Sequence, residues 1–260
     1  MAKRSTPPFV VVDADNTLWD TNAVYANAQL ALLSEVEEHV GVSATGDRLA
    51  YLRVIDQALA QRHPQRLRYP ARLLAQALAS ALDRGDASNA AALVLEGATE
   101  ARLLDELIAQ SIEKDFIDAL RSPPSIRDGV REGLDAFQSD GAVMVILTEG
   151  QKARVEANAQ ALGLAHYFSE IIEAVKTPRS FGDLMERAPS SDLAFVIGDQ
   201  LQSDIRPAKA AGFTTIYFPG GFKPGWEPEV TEIAPDYQIK SFDEAPPIVR
   251  ARMKAPLIAS

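Results

Sequence analysis

The stretch that decides the fold is FVVVDADNTLWD, residues 9–20. Four consecutive large apolar residues favour a strand covered on both faces, because a half-exposed strand alternates apolar with polar residues. Asp13 then lies at the tip of that strand, with Asp15 and Thr17 directly behind it. Taken alone, the stretch fits equally well a reactive site and a purely structural role, in which Asp13 caps a turn and Asp15 with Thr17 begins the next helix.

Three later polar clusters each follow an apolar, strand-like run or lie beside a predicted helix start. They are Thr148-Glu149-Gly150, Lys176, and Gly198-Asp199 with Asp204. These residues supply what an aspartate nucleophile acting on a phosphate group needs, namely hydrogen-bond donors, a cation and carboxylates for a metal ion. They favour the catalytic interpretation of Asp13.

The order of these residues resembles the motifs of the haloacid dehalogenase superfamily, in its phosphatase branch. The matching pattern is Asp13-x-Asp15-x-Thr17, then Thr148, then Lys176, then Gly198-Asp199-x-x-x-x-Asp204. The match covers residues 1–20 and everything from about Ile126 onward. The residues between match only in being helical.

The middle of the chain carries helical signals. Val24, Ala28, Leu32, Val36 and Val40 are spaced by four, which places them on one helical face. Further helices are predicted from Asp47, over Pro70–Leu82, and over Ser88–Leu120 with a break near Gly97, and no strand is predicted between Leu18 and Ser122. In the resembled family, such an insertion is a mobile cap over the active site.

From Ile126 onward, strand and helix signals alternate, which is typical of a parallel sheet covered by helices. The predicted strands are Ala142–Leu147, Ile171–Val175, Leu193–Ile197 and Phe213–Phe218. The predicted fold class is therefore α/β: a Rossmann-like three-layer α/β/α core with a parallel sheet, plus an inserted all-helical cap domain. We assign residues 1–20 and 122–260 to the core and 21–121 to the cap.

A phosphate ester repels a carboxylate nucleophile, so charge must be neutralised first. Mg²⁺ suits this role because it prefers oxygen ligands and takes one or two carboxylates from a protein. We predict Asp13 and Asp199 as ligands, and the resemblance adds the backbone carbonyl of Asp15 and places Asp204 at or just behind a metal-bound water. The alternatives are an ordinary loop at Asp199 and a first-turn helix acid at Asp204.

Substrate contacts are predicted for Thr148, for the backbone N–H groups of Glu149 and Gly150 at the following helix start, and for Thr17. Glu149 departs from the family, which more often has a small or amide residue there. Lys176 would hold the nucleophile and the phosphoryl group as a compact cation. The alternatives are a helix N-cap for Thr148 and a solvated surface lysine for Lys176, with Lys152 second in line for that role.

Asp13 would attack phosphorus and form an aspartyl-phosphate. Asp15 could protonate the leaving oxygen and later deprotonate a water. Because a halide leaves without a proton, Asp15 favours a phosphate ester over a haloacid. The predicted function is a Mg²⁺-dependent phosphatase of a small phosphorylated metabolite; the alternatives are a phosphomutase or 2-haloacid dehalogenase of the same fold, or a non-catalytic ligand-binding module.

Composition excludes several classes of partner. The net charge of −10 argues against a nucleic-acid surface, which requires a basic stripe. The chain has no cysteine, so disulfides and thiolate chemistry are impossible and the cytoplasm is the expected compartment. No signal peptide or membrane partner is expected, because every apolar run is too short. We expect a monomer or a homodimer.

One part of the predicted cap differs from the acidic remainder. Residues 57–82 contain no acidic residue, and they include several basic ones: Arg62, His63, Arg66, Arg68 and Arg72. They are either solvated side chains whose stems cover apolar surface, or a face that pairs with a second anionic group of the substrate.

Overall fold

The computed structural model describes residues 6–64, 69–98, 103–221 and 227–254. The chain divides into two compact units, one formed by Met1–Asn22 with Pro123–Ser260 and the other by Ala23–Ser122. We call the first the core unit and the second the helical unit. We had predicted the divisions at residues 20 and 121.

Eight strands lie in the described part of the core unit: β1 Phe9–Val12, β2 Trp19–Asp20, β3 Ser125–Ile126, β4 Val143–Thr148, β5 Glu170–Glu173, β6 Ala194–Gly198, β7 Thr214–Tyr217 and β8 Tyr237–Gln238. Six of them form one sheet in the order β5-β4-β1-β6-β7-β8, and all neighbouring pairs are parallel. β1 lies between β4 and β6, so the strand order reverses beside it and opens a crevice at the carboxyl ends.

The described helices are α1 Thr21–Val40, α2 Arg48–Arg62, α3 Ala71–Arg84, α4 Ala87–Leu95, α5 Glu106–Ala119, α6 Val130–Ser139, α7 Lys152–Ala161, α8 Pro178–Met185, α9 Arg206–Ala210, α10 Val230–Ile233 and α11 Ala245–Lys254. None of the helices in the described ranges is both long and apolar enough to cross a bilayer.

Helices cover both faces of the sheet. Val10 and Val12 belong to an apolar cluster with residues of α6, α7 and α11, whereas Phe9 and Val11 belong to a second cluster with residues of α8 and α9. Successive side chains of a strand point to opposite faces, so β1 is buried on both. The predicted three-layer α/β/α core with a parallel sheet is confirmed.

The helical unit has its own apolar core, built from residues of α1 to α5 such as Leu32, Leu52 and Leu78. The predicted break near Gly97 is confirmed, because α4 ends at Leu95 and a separate helix, α5, begins at Glu106 after its N-cap. The Asp105 carboxylate accepts a hydrogen bond from the Leu107 N–H at 2.8 Å. Leu107, in the first turn of α5, is 75% exposed.

One prediction fails, in a small way. We predicted no strand between Leu18 and Ser122, but Trp19–Asp20 pairs antiparallel with Ser125–Ile126. This two-stranded ribbon lies where the chain leaves the core unit and where it returns. It begins four residues after Asp15, and Trp19 is fully buried.

Candidate active site

Three polar groups lie at the carboxyl ends of neighbouring strands. Asp13 follows β1, Thr148 is the last residue of β4, and Asp199 follows β6. The Asp13 N–H donates to the Ile197 carbonyl at 2.9 Å, which continues the β1–β6 ladder by one residue. Because parallel strands end at one edge of the sheet, the three side chains meet in the crevice beside β1.

Lys176 joins this group from the loop after β5. Its ammonium group pairs with Asp13 Oδ1 and, at 2.6 Å, with Asp204 Oδ1. The three side chains are only 5%, 8% and 2% exposed. Lys176 is therefore not the surface lysine of the alternative interpretation, and Lys152, which lies near Glu156 and is 48% exposed, does not replace it.

The loop that carries Lys176 is held at both sides. The Lys176 N–H donates to Glu149 Oε1 at 2.9 Å, and Thr177 begins α8 with a capping box that includes Ser180. These contacts fix the backbone on each side of the lysine. They also give the Glu149 carboxylate a structural partner, and the substrate contact predicted for the Glu149 backbone N–H stays a prediction.

The charges in this group do not balance. Burial raises the pKa of Asp13 to about 7 against the opposing charge of Lys176, with Asp204 and Asp15 adding to the rise. Burial and the charges of Asp13 and Asp204 raise the pKa of Asp199 well above its usual value. Burial alone would lower the pKa of Lys176, but the two carboxylates raise it. One lysine thus faces three buried carboxyl groups.

Carboxylate oxygens of Asp13, Asp199 and Asp204 lie within 4.8 Å of one another. Both oxygens of Asp204 already have partners, since its Oδ1 pairs with Lys176 and its Oδ2 accepts a hydrogen bond from the Gln200 N–H at 2.9 Å. Asp13 Oδ2 is buried and has no hydrogen-bond partner among the residues that the structure describes. Asp13 and Asp199 therefore have more ligand capacity left for a cation than Asp204.

Two glycines permit this approach of carboxylates. A Cβ at Gly198 would lie 2.4 Å from Asp204 Cβ, and one at Gly220 would lie 2.5 Å from Asp199 Oδ2. Neither position has room for a side chain. The glycine before Asp199 is thus required by close packing against Asp204, which an ordinary loop would not explain.

Asp15 lies at the outer side of the group. Its Oδ1 accepts a hydrogen bond from Trp19 Nε1 at 2.9 Å, and its Oδ2 accepts one from the Arg154 guanidinium at 2.5 Å. Arg154 lies in the first turn of α7 and was not predicted as a site residue. Only its position soon after Thr148 could have drawn attention to it.

The structure shows the surroundings of three residues for which we predicted substrate contacts. Helix α7 begins at Lys152, later than predicted, and the Gly150 N–H donates to Thr148 Oγ1 at 2.9 Å, so it already has a partner. Thr17 is fully buried, and its hydroxyl group has no hydrogen-bond partner among the described residues, so its substrate contact stays a prediction. Thr148 itself is at the predicted strand end, and its alternative as N-cap of α7 does not hold because Gln151 has that position.

Arg127 is a further residue that sequence reasoning missed. Its guanidinium donates to the Asn16 carbonyl and, at 2.7 Å, to the Pro219 carbonyl, and lies 3.6 Å from the centroid of the Phe218 ring. It therefore ties the loop after β1 to the loop after β7, on either side of the carboxylates. Its partners are 111 and 92 residues away in sequence, so no local pattern could have indicated the contact.

Two of the arginines in the predicted basic face of the helical unit have partners within that unit. Arg72 pairs with Glu113 Oε2 at 2.9 Å, and Arg62 donates to the Ala58 carbonyl at 3.3 Å. Arg66 and Arg68 lie outside the described residues. The acidic partner of Arg72 comes from α5, beyond the segment in which we counted charges.

We expect Lys176→Met to lower the free energy of unfolding by about 3–5 kcal/mol, because it leaves two buried carboxylates without their cation. Urea unfolding measures this change. Lys114→Met is the matched control, since Lys114 also lies near two carboxylates, those of Asp115 and Asp118, but is 73% exposed. The control should have little effect. Equal and small losses in both variants would contradict the expectation.

A parallel sheet with buried carboxylates and a lysine at its switch point defines an enzyme of α/β fold with an aspartate-centred site. The model of the haloacid dehalogenase-like hydrolase family matches residues 9–212, and the chain belongs to this family of hydrolases. The family predicted from the motifs is confirmed. Among curated proteins, none matches the sequence significantly.

Solved structures share the fold over nearly the whole chain. A haloacid dehalogenase-like family hydrolase from Xanthomonas campestris is 22% identical with a TM-score of 0.61, covering 95% of this chain and 96% of its own. The hydrolase YfnB from Bacillus subtilis, bound to magnesium, is 21% identical with a TM-score of 0.59, covering 94% and 99%. A predicted phosphoglycolate phosphatase from Haemophilus somnus is 16% identical with a TM-score of 0.57, covering 95% and 99%.

Proposed function

We propose that this hydrolase is a Mg²⁺-dependent phosphatase that cleaves a small phosphorylated metabolite through an aspartyl-phosphate on Asp13. One observation carries the proposal: Asp13 is buried at the end of β1, Lys176 holds its Oδ1, and its Oδ2 has no hydrogen-bond partner in the described part of the chain. A carboxylate held in this way has one oxygen oriented by a cation and one oxygen left for chemistry.

The residues fit a magnesium ion. Three buried carboxyl groups face a single lysine, and Gly198 and Gly220 keep side chains out of the space beside them. Asp13 and Asp199 would hold the ion, with Asp204 at or behind a bound water and the Asp15 carbonyl as a further ligand. When bound, Mg²⁺ supplies the positive charge that lets an anionic phosphate approach a carboxylate. YfnB, of similar fold, is bound to magnesium.

Each of four residues has its own role in the proposed reaction. Asp13 attacks phosphorus, and the bond from phosphorus to the leaving oxygen breaks as that oxygen takes a proton from Asp15. Asp15 then takes a proton from the attacking water, which releases phosphate and restores Asp13. Lys176 holds Asp13 in place throughout, and the Thr148 hydroxyl group hydrogen-bonds a phosphoryl oxygen.

Asp15 supports a phosphatase over a dehalogenase. An alkoxide is a poor leaving group and needs a proton, whereas a halide needs none. Asp15 and Thr148 both lie next to Gly150. A Cβ atom placed on that glycine would be 3.3 Å from Asp15 Oδ2 and 3.2 Å from Thr148 Oγ1. The proton donor is therefore near the group that we assign to the phosphoryl oxygens. The helical unit would act as the cap that admits the substrate.

Release of phosphate from 4-nitrophenyl phosphate, with Mg²⁺ and after chelation by EDTA, tests the proposal. Activity should require the metal. Asp199→Asn should raise the Mg²⁺ concentration for half-maximal rate by about 10- to 100-fold or more, because a ligand is lost. Titration calorimetry with Mg²⁺ should report the same loss of affinity without turnover.

Asp192→Asn is the control, since Asp192 is exposed at the opposite end of β6. Its Mg²⁺ dependence should equal that of the unsubstituted protein. An Asp199 variant with unchanged magnesium dependence would move the ligand role to Asp204. Full activity in EDTA would contradict the proposed use of a metal, and release of halide from 2-haloacids without phosphatase activity would favour the dehalogenase.

A further inference from the structure

The ion pair between Arg154 and Asp15 has no place in the chemistry described so far. The Arg154 guanidinium lies 2.5 Å from Asp15 Oδ2, and the two side chains are 51% and 25% exposed. The inner ion pairs of Lys176 are far more buried. The pair therefore forms the outer, solvent-accessible layer of the site, next to the proposed proton donor.

Both oxygens of Asp15 face N–H donors, Trp19 Nε1 at Oδ1 and Arg154 at Oδ2. A proton on Asp15 that is aimed at a leaving group needs one of these contacts to open, because a hydrogen atom cannot share that direction with an N–H group. Trp19 is fully buried, whereas Arg154 is half exposed. The contact with Arg154 is the one that can open at little cost.

Arg154 also lies where the leaving group must be. A Cβ on Gly150 would be 3.2 Å from an Arg154 guanidinium nitrogen and 3.2 Å from Thr148 Oγ1. The guanidinium, the Thr148 hydroxyl group and the Asp15 carboxylate thus surround the same point beside Gly150. A leaving group held by Thr148 and Asp15 would therefore lie near Arg154.

We propose that Arg154 determines specificity by pairing with a carboxylate or second phosphate on the leaving group, in exchange for its contact with Asp15. This proposal rests on the proposed phosphatase function and names its substrate class: phosphomonoesters whose alcohol part carries an anion. Arginine suits the task because its planar guanidinium binds carboxylate and phosphate through two parallel hydrogen bonds.

The guanidinium keeps an anionic partner in the exchange, because the anion of the substrate takes the place of the Asp15 carboxylate at Arg154. A neutral leaving group offers no such replacement, so Asp15 has to break its contact with Arg154 uncompensated. Among the arginines of the helical unit that we considered for this role, Arg72 already has an internal partner in Glu113, and Arg62 donates to the Ala58 carbonyl. Arg154, which contacts Asp15 itself, is the candidate that we propose for recognition of a second anion.

The test compares kcat/KM for 3-phosphooxypropanoate and 4-phosphooxybutanoate with kcat/KM for their primary amides, which are similar in size and neutral in the leaving group. The unsubstituted protein should prefer the carboxylates by about 10- to 100-fold, the value of a hydrogen-bonded ion pair. Arg154→Met should abolish that preference by lowering the carboxylate values, and the amide values should stay equal or rise. Arg154→Lys should keep part of the preference.

Arg187→Met is the matched control. Arg187 pairs with Glu170 at 2.5 Å and is 47% exposed, but Glu170 begins β5, at the edge of the sheet opposite to the site. The control should keep the full preference. Turnover of both substrate types with no preference, or an Arg154→Met variant that loses both in parallel, would overturn this proposal alone. No turnover of any phosphate ester by the unsubstituted protein would reject the phosphatase function and this proposal with it.

Discussion

Replacement of Asp13 by Asn is expected to reduce phosphatase turnover by a factor on the order of 10⁴ or more, because the variant has no oxygen nucleophile to form the aspartyl-phosphate. The folded structure should persist. Asn has nearly the same volume as Asp, Lys176 keeps its pair with Asp204 at 2.6 Å, and the substitution removes one of several crowded negative charges.

Steady-state release of phosphate measures this effect, with circular dichroism and urea unfolding as tests of the fold. Asp192→Asn is the control for the chemical change itself, and it should retain full activity. A single turnover with ³²P-labelled substrate should label the unsubstituted protein and leave the Asp13→Asn variant unlabelled. Hydrolysis at the normal rate by that variant would refute the entire mechanism.

Replacement of Asp15 by Asn is expected to lower kcat/KM by about 10² to 10⁴, which is the range for loss of a general acid. The Asn side-chain oxygen can still accept the hydrogen bond from Trp19 Nε1, so the loop after β1 should keep its geometry. Binding of Mg²⁺ should be retained, because the predicted ligand at this position is the backbone carbonyl.

The loss should depend on the leaving group. kcat/KM reports the steps up to formation of the aspartyl-phosphate, and a nitrophenolate leaves readily without a proton whereas an alkoxide does not. The variant should therefore lose less activity toward 4-nitrophenyl phosphate than toward an alkyl phosphate. Equal losses in kcat/KM for both substrates would show that Asp15 is not the proton donor.

The strand-end residues of the site could be predicted from the sequence pattern, whereas the position of Lys176 could not. Asp13, Thr148 and Asp199 follow apolar runs that could only be buried strands, and parallel strands present their ends at one edge. Their convergence is thus a consequence of local pattern plus one topological rule. Lys176 follows β5 by three residues, and only its family motif indicated that it turns toward Asp13.

In the helical unit too, the sequence predicted the local elements but not the contacts between distant residues. The apolar spacing predicted helices over most of Ala23–Ser122, and the helix start predicted near Asp47 is confirmed, because α2 begins at Arg48 with Asp47 as its N-cap. The sequence also indicated the break near Gly97, but it did not show that α5 begins only at Glu106, after its N-cap Asp105. Nor could it show that Arg72 has a partner, since Glu113 lies 41 residues further along the chain.

By itself, the sequence determined the α/β core, the helical insertion, the family and the strand-end carboxylates, because strand and helix periods and motif spacing are properties of neighbouring residues. Only the tertiary structure decided that Lys176 lies between Asp13 and Asp204, that Arg127 ties two loops together, and that Arg154 reaches Asp15. The Arg154 contact joins residues 139 apart in sequence. Such contacts depend on how strands and helices pack against one another, and long-range packing leaves no periodic signal in the chain.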